Sequence, residues 1–184
     1  PMTRAMFVTA LYRADDGIAE ENSDFYDVSD RDSWYYDAVC WASENSIVNG
    51  TDQRHFSPNN NVTREQMAAI LYRYLDYLGA KLKGGSGASV VFSDGSSISS
   101  FAKDPIQKLQ SANIINGKPD GYGRYRFDPK GRATRAEVAH VFCAFFDKLE
   151  YDEEIDVNDV QESLSYAQST FEDAEFDYMD DDFL

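Results

Sequence analysis

The chain has 184 residues, enough for one compact domain or for one domain followed by a tail. With 42% hydrophobic and 14% aromatic residues it can build a core, which excludes a chain that is disordered throughout. Its net charge of −16 is unevenly placed, because residues 150–184 hold 14 acids and no Lys or Arg, which leaves residues 1–149 nearly neutral. Neither part has the basic excess that nucleic-acid binding requires, so we expect no nucleic-acid partner.

No stretch approaches the roughly 18–20 apolar residues that span a bilayer, so we expect no membrane-spanning segment. The N-terminus lacks a basic region followed by an apolar core and a cleavage site. If the protein is exported, this sequence is therefore expected to be a mature fragment. The two cysteines, Cys40 and Cys143, lie in apolar helix-like runs and are predicted to be buried free thiols, although a disulfide between them stays open.

The dipeptide Thr-Arg, followed by an apolar helix-like run, occurs near the start of the chain at Thr3 and again at Thr63 and Thr134. A recurring pattern with fixed internal spacing is typical of one supersecondary unit used repeatedly. The first copy contains only the last part of that unit. Residues 1–17 are therefore predicted to be the C-terminal helix of a truncated repeat.

Residues 25–79 form the first complete unit. Apolar residues at helical spacing predict an amphipathic helix across roughly 33–46. A polar, turn-rich stretch follows, with a Phe-x-Pro motif as its apolar anchor. Thr63 then suits the N-cap of a second helix, with Gln66 at the capping-box position and Gly79 at the end. The unit is predicted to be helix, structured loop, helix.

Residues 80–91 are rich in Gly and Ser and are predicted to be a flexible linker. Residues 92–149 then repeat the plan of the first unit. Because Pro105 is tolerated only in the first turn of a helix, the first helix of this unit is expected to begin near Asp104. The loop that follows is four residues longer than its counterpart, and the last helix has a complete capping box that ends at Glu137.

Residues 150–184 form an acidic tail. Apolar residues between Val157 and Phe171 fall at helical spacing and predict an amphipathic helix, which could pack over the gap left by the truncated repeat. A disordered acidic tail and a short motif for a protein partner stay open as alternatives. The run 180–182 lacks the ligand spacing of a calcium loop, so no metal is expected there.

Together these motifs resemble tandem S-layer homology (SLH) modules. The complete units share Phe-x-Asp at 25–27 and 92–94, Ile-x-x-Gly at 47–50 and 114–117, and Phe-x-Pro at 56–58 and 127–129. The signature Thr-Arg-Ala-Glu is intact only at 134–137, and reads Thr-Arg-Glu-Gln at 63–66 and Thr-Arg-Ala-Met at 3–6. The resemblance covers nearly all of residues 1–149.

The resemblance implies an all-α fold in which helix–loop–helix repeats form an SLH-type pseudo-threefold helical bundle. It also implies a protein of the bacterial cell surface that is anchored non-covalently to the cell wall. The implied partner is secondary cell-wall polysaccharide, bound in grooves between repeats through an acidic, pyruvylated sugar, and no cofactor is implied. The arginine after each threonine would recognise the acidic group, and the loop glycines would let a sugar approach the backbone. The candidate ligand-binding residues are Arg4, Arg64, Arg135, Gly50, Gly117 and Trp34.

The chemistry of a guanidinium supports this role, because an arginine at a helix start lies beside free N–H groups and can bind a carboxylate through two parallel hydrogen bonds. A structural surface role is the alternative for the arginines. Trp34 could present a face to a sugar, but both Trp34 and Trp41 are expected in the core. Because the first unit lacks its upstream half, Arg4 is expected to have lost part of its groove. The change to Glu65-Gln66 could alter the second pocket.

An enzyme is a competing class of protein, but the residues offer little for it. Of the two histidines, His55 and His140, the latter falls on the apolar face of a predicted helix, which is typical of a structural histidine. No nucleophile motif, metal-ligand cluster or phosphate-binding glycine loop is evident, so we expect no catalytic activity in this chain. The remaining alternative is an SLH-like scaffold that serves as a protein-interaction or assembly module, with the tail as a packing or partner segment.

Overall fold

The computed structural model describes residues 1–20, 22–84 and 90–151. In these ranges the chain is mostly helical, as predicted, and its helices are joined by loops that carry short strands. The α-helices described are α1 (Arg4–Ala14), α2 (Tyr36–Glu44), α3 (Arg64–Tyr77), α4 (Lys103–Ser111) and α5 (Arg135–Asp147). The predicted tail helix and its alternatives fall in residues 152–184, outside the described residues.

Two short 3-10 helices, Gly95–Ser97 and Ser100–Ala102, precede α4, and two pairs of short antiparallel strands are also described. These are β1 (Lys81–Leu82) with β4 (Leu149–Glu150), and β2 (Lys118–Pro119) with β3 (Tyr125–Arg126). The first pair holds the beginning of the predicted linker against the segment that follows α5, where Leu82 is buried. The second pair is made by the longer loop of residues 92–149, whose extra residues form a hairpin.

The helices that follow each Thr-Arg begin where the sequence predicts. Thr3, Thr63 and Thr134 are N-caps with extended backbone, and each hydroxyl accepts a hydrogen bond from the N–H of the third helical residue. The side chains of Gln66 and Glu137 return to the N–H of their own cap, at 3.1 and 2.9 Å. Both predicted capping boxes are thus confirmed, and each cap contributes about 1 kcal/mol to helix stability.

The residues immediately before these three threonines form a closed ring of backbone hydrogen bonds. The N–H of Met2 donates to the carbonyl of Ala133 (2.9 Å), that of Ala133 to Val62 (2.9 Å), and that of Val62 to Met2 (3.0 Å). All three side chains are buried. The starts of α1, α3 and α5 are therefore fastened to one another at the core.

The two tryptophans have different environments. Trp41 on α2 is 1% exposed and makes edge-on ring contacts with Tyr12, Tyr74 and Tyr77 at 5.6–6.2 Å, so its predicted place in the core is confirmed. Trp34 is 55% exposed, and the expectation that it is a core residue is wrong. The reason is that α2 begins only at Tyr36, so the helical face that buries Trp41 does not extend back to Trp34.

Two further burial predictions fail on α5. Cys143 and His140 are both exposed, because the buried face of this helix is formed by Val138, Val141, Phe142 and Phe145. Cys40 is buried as predicted. Both thiols are free, so the open alternative of a disulfide between them is excluded in this structure.

Asp15, the C-cap residue of α1, fastens that helix to α3. Its two carboxylate oxygens accept hydrogen bonds from the hydroxyls of Tyr74 (2.9 Å) and Tyr77 (3.1 Å). Burial raises the pKa of Asp15, and the two hydroxyls oppose that effect only in part. The folded chain therefore binds this proton more tightly than the unfolded chain does.

We expect the substitution Asp15→Asn to remove a pH-dependent part of the stability. Because the folded pKa is raised, protonation of Asp15 stabilises the fold, and this contribution is lost as the pH rises from the ordinary aspartate pKa through the raised one. Urea unfolding across the acidic range measures it as the difference in unfolding free energy between wild type and variant. The wild type should lose stability relative to the variant as the pH rises. A difference in unfolding free energy that does not change with pH would contradict the raised pKa of Asp15.

Candidate functional site

The side chain of Arg4 crosses from the start of α1 to the loop between α2 and α3. Its Nε donates to the carbonyl of Phe56 (2.7 Å), its Nη2 donates to the carbonyl of Asn49 (3.3 Å), and its Cζ lies 4.7 Å from the centre of the Phe56 ring. The residue is only 3% exposed. We call Arg4, Asn49 and Phe56 the Arg4 site.

Arg64 repeats this arrangement one unit later. Its Nε and Nη2 each donate at 2.8 Å, to the carbonyls of Phe127 and Asn116, and its Cζ lies 4.9 Å from the Phe127 ring. Arg64 is 4% exposed. We call Arg64, Asn116 and Phe127 the Arg64 site. In both sites the arginine of one helix packs on the loop of the following repeat.

This arrangement corrects one expectation. Arg4 was expected to lack part of its groove because the first repeat is incomplete, but the loop that contacts Arg4 belongs to the second repeat. Arg4 therefore makes the same kinds of contact as Arg64, with two carbonyls and one phenylalanine ring. Arg135, by contrast, lies exposed at the first position of α5. Its part in binding stays a prediction.

The third guanidinium nitrogen, Nη1, distinguishes the two sites. At Arg64 it donates to Oε1 of Glu137 (3.2 Å), and the same oxygen lies 2.8 Å from Nζ of Lys118. At Arg4 the Nη1 atom has no hydrogen-bond partner among the described residues. No carboxylate in the described part of the chain lies within 4 Å of Arg4.

The ionisation of these groups follows from their burial and partners. Burial, partly offset by Asp27, lowers the pKa of Arg4 to about 10, so this guanidinium stays charged at neutral pH. Burial also lowers the pKa of Arg64, against the opposing charge of Glu137. Partial burial disfavours the charge of Glu137, but hydrogen bonds from Lys118 and Thr134 outweigh it and lower the pKa of Glu137 to about 2.

The aspartate of each Phe-x-Asp motif holds the loop that carries these carbonyls. The oxygens of Asp27 accept from the N–H groups of Phe56 and Ser57 at 2.8 and 2.7 Å. Asp94 does the same for Phe127 and the residue after it, at 2.7 and 2.8 Å. Sequence reasoning noticed this motif without giving it a role, although its recurrence ahead of each Phe-x-Pro was the available signal.

The loop glycines have a packing role. A Cβ at Gly50 would lie 2.3 Å from the carbonyl oxygen of Asp52 and 2.8 Å from the ring of Phe25. A Cβ at Gly117 would lie 2.6 Å from the ring of Phe92. Glycine is thus required by the close approach of each loop to the phenylalanine of its own Phe-x-Asp motif. Whether these glycines also admit a sugar stays a prediction.

Trp34 and Glu65 make other contacts. Trp34 has its ring contact with Tyr35, at 5.2 Å and nearly perpendicular, and it is exposed enough to stack on a ligand. Glu65 is buried, and its carboxylate binds Lys130 and accepts from the N–H and the hydroxyl of Ser99, each at 3.1 Å. The altered residue at position 65 thus joins α3 to the segment before α4.

Across residues 1–20, 22–84 and 90–151, no group of three or more His, Cys, Asp or Glu side chains is arranged to hold a metal ion. No helix in the same ranges is long and apolar enough to cross a membrane.

The two units that carry these sites match the model of the S-layer homology domain, over residues 24–68 and 91–139, about half of the chain. The chain belongs to the SLH family. The resemblance inferred from the motifs is thereby confirmed, and the matched ranges include both loops and the beginnings of α3 and α5.

Known proteins that resemble this SLH chain are of several kinds. It is 38% identical over 149 residues to an endoglucanase of Bacillus sp. (strain KSM-635), covering 80% of this chain and 15% of that protein. It is 28% identical to a surface-layer 125 kDa protein of Lysinibacillus sphaericus, covering 84% of this chain and 12% of that one. It is 36% identical to a cellulosome-anchoring protein of Acetivibrio thermocellus, covering 51% of this chain and 20% of that protein. The chain thus spans at most a fifth of these relatives.

SLH domains are non-catalytic modules that anchor proteins to the cell wall, and the relatives of this chain include surface-layer and anchoring proteins of bacteria. The likeness to the endoglucanase lies in a small part of that enzyme. It carries no inference of catalysis by these repeats.

Proposed function

We propose that these SLH repeats anchor a protein non-covalently to the bacterial cell wall by binding secondary cell-wall polysaccharide through an acidic, pyruvylated sugar. The observation that carries the proposal is the Arg4 site. A buried, charged guanidinium is held there by two carbonyls, while its Nη1 lacks a hydrogen-bond partner among the described residues. A carboxylate at Nη1 would make a charge-assisted hydrogen bond with a donor that is already oriented.

The surroundings of Nη1 favour an anion in two further ways. Arg4 is the first residue of α1, where the positive end of the helix dipole lies, and the protein holds its guanidinium in one position before the ligand arrives. The hydrogen-bond ring of Met2, Val62 and Ala133 supports the pseudo-threefold bundle as the scaffold of these sites. In that scaffold Arg135 is a third candidate ligand residue.

A second function is favoured by the exposed aromatic residues that precede α2 and α4. Trp34 and Phe101 occupy equivalent positions of the two repeats and are 55% and 48% exposed. Such residues are enriched at protein interfaces. An SLH scaffold that serves as a protein-interaction module is therefore the alternative, and the same experiment separates the two functions.

The proposal is tested by retention of the full chain on purified cell-wall sacculi before and after extraction of the secondary polymer. We expect retention to require the polymer. Equal retention on stripped sacculi would reject polysaccharide anchoring and favour a protein or peptidoglycan contact.

In the same assay we expect the double substitution Arg4→Lys with Arg64→Lys to weaken retention roughly ten-fold or more, because lysine keeps the charge but lacks the planar fork. Arg13→Lys on the exposed end of α1 is the matched control and should bind as the wild type does. Melting curves confirm that each variant is folded. Undiminished retention of the double variant would exclude these arginines as ligands.

A further inference from the structure

The Arg4 and Arg64 sites share their backbone contacts but differ in the charged side chains around them. Thr51 and Lys118 each follow the loop glycine, and Gln66 and Glu137 each occupy the third position of the next helix. A neutral pair at one site is thus replaced by an opposite-charge pair at the other. The two charges are in contact, since Nζ of Lys118 lies 2.8 Å from Oε1 of Glu137.

The same exchange occurs at two more positions of the loops. His55 and Arg126 precede the loop phenylalanine, and Ser57 and Asp128 follow it with positive φ of 61° and 62°. Nζ of Lys118 lies 3.8 Å from a carboxylate oxygen of Asp128. In the register of β2 and β3, Lys118 and Arg126 are directly opposite, so their side chains lie on one face of the hairpin.

The exchanged positions nevertheless contribute the same net charge at the two sites. With His55 counted as neutral, the four residues around Arg4 carry no charge; these are Thr51, His55, Ser57 and Gln66. The four around Arg64 carry two positive and two negative charges, which cancel; these are Lys118, Arg126, Asp128 and Glu137. Asp27 and Asp94 act alike on Arg4 and Arg64, so they do not distinguish the two sites.

Lys118 is the group on which this balance depends. Both Nη1 of Arg64 and Nζ of Lys118 contact Oε1 of Glu137. Arg126 is exposed, so solvent screens its charge. Without Lys118, the carboxylate of Glu137 would neutralise the charge of Arg64 at Nη1. The same atom of Arg4 has no hydrogen-bond partner among the described residues. The hairpin, pinned by hydrogen bonds to Asp120 from the N–H groups of Tyr122 and Arg124, brings Lys118 to this place.

We propose that Lys118 is a specificity-determining residue for ligand binding at Arg64, which offsets Glu137 so that the positive charge of Arg64 stays available to a carboxylate-bearing sugar. The inference rests on the proposed function, since it assumes that these sites bind an acidic polysaccharide. It predicts that replacing both Lys118 and Glu137 by the neutral residues of the other site, Thr and Gln, leaves binding intact. Replacing Lys118 alone should impair binding.

The experiment measures retention of the full chain on sacculi whose secondary polymer carries pyruvate ketals. All variants include Arg4→Lys, so that the Arg64 site dominates the signal. We expect Lys118→Thr to weaken binding roughly ten-fold, equivalent to about 1.4 kcal/mol, and Lys118→Thr with Glu137→Gln to restore it. Glutamine serves the capping box at Gln66, so the double variant keeps its helix start. Lys108→Thr, at an exposed position of α4, removes the same charge elsewhere and should have no effect.

The outcomes separate the two proposals. If wild-type retention requires the polymer but Lys118→Thr binds normally, or if Glu137→Gln fails to restore it, the role given to Lys118 is wrong and anchoring stands. If wild-type retention is independent of the polymer, the anchoring function fails and the role of Lys118 fails with it. The reciprocal exchange at the Arg4 site, Gln66→Glu alone and then with Thr51→Lys, should reproduce the same loss and recovery in an Arg64→Lys background.

Discussion

Replacing Trp41 with alanine is expected to lower the free energy of unfolding by about 3–5 kcal/mol. The indole is almost fully buried and contacts the rings of Tyr12, Tyr74 and Tyr77. Its removal leaves a cavity where α1, α2 and α3 meet, which costs both the transfer free energy of the side chain and the lost packing. Urea unfolding followed by circular dichroism measures the change.

The second tryptophan is the matched control for this prediction. Trp34→Ala removes the same side chain from an exposed position, and its effect on stability should stay within about 0.5 kcal/mol. Similar losses for the two variants would show that the indole of Trp34 is packed in solution. If the exposed indole of Trp34 contacts the ligand, Trp34→Ala will reduce retention on sacculi without changing the stability.

Replacing Asp94 with asparagine is expected to destabilise the chain by roughly 1.5–3 kcal/mol. The carboxylate accepts two backbone N–H groups, from Phe127 and Asp128, whereas an asparagine offers one oxygen and directs an N–H₂ group at the other donor. One of the two N–H groups therefore loses its acceptor, which loosens the loop whose Phe127 carbonyl binds Nε of Arg64. Retention on the wall should therefore fall together with the melting temperature.

Asp76→Asn provides the control for Asp94→Asn, because Asp76 is exposed on α3 and the same change of charge should leave stability nearly unaltered. Asp27→Asn tests whether the role belongs to the motif, since its carboxylate holds the corresponding loop at the Arg4 site. Normal stability of both variants at the motif would contradict the view that the Phe-x-Asp aspartate fastens the loop.

The secondary structure was largely readable from the sequence because its signals are local. A threonine followed three residues later by Gln66 or Glu137 specifies a helix start through contacts within one turn, and these starts were located correctly. Pro105 likewise fixed the beginning of α4 to within a residue. Burial was harder to predict from the sequence, because only one face of α5 packs against the core. Cys143 lies in an apolar run of the sequence but is not on that face.

The architecture of the site was only partly predictable because it depends on contacts between repeats. The sequence singled out Arg4 and Arg64 but not the carbonyls that receive them, since these are 45 to 63 residues away. It assigned Arg4 to its own incomplete unit, whereas the loop of the next unit completes the site. Lys118 was not recognised, because only the paired strands of the hairpin bring it to Glu137.

The ring formed by Met2, Val62 and Ala133 has a consequence for how the chain folds. In an open solenoid each repeat contacts only its neighbours, so folding can begin in any repeat and spread stepwise. Here the segment at Met2 needs a partner 131 residues later, and the ring cannot close until that partner has been synthesised. Contacts of such long sequence separation slow folding but make the three helix starts interdependent. We therefore expect the repeats to unfold in a single cooperative transition.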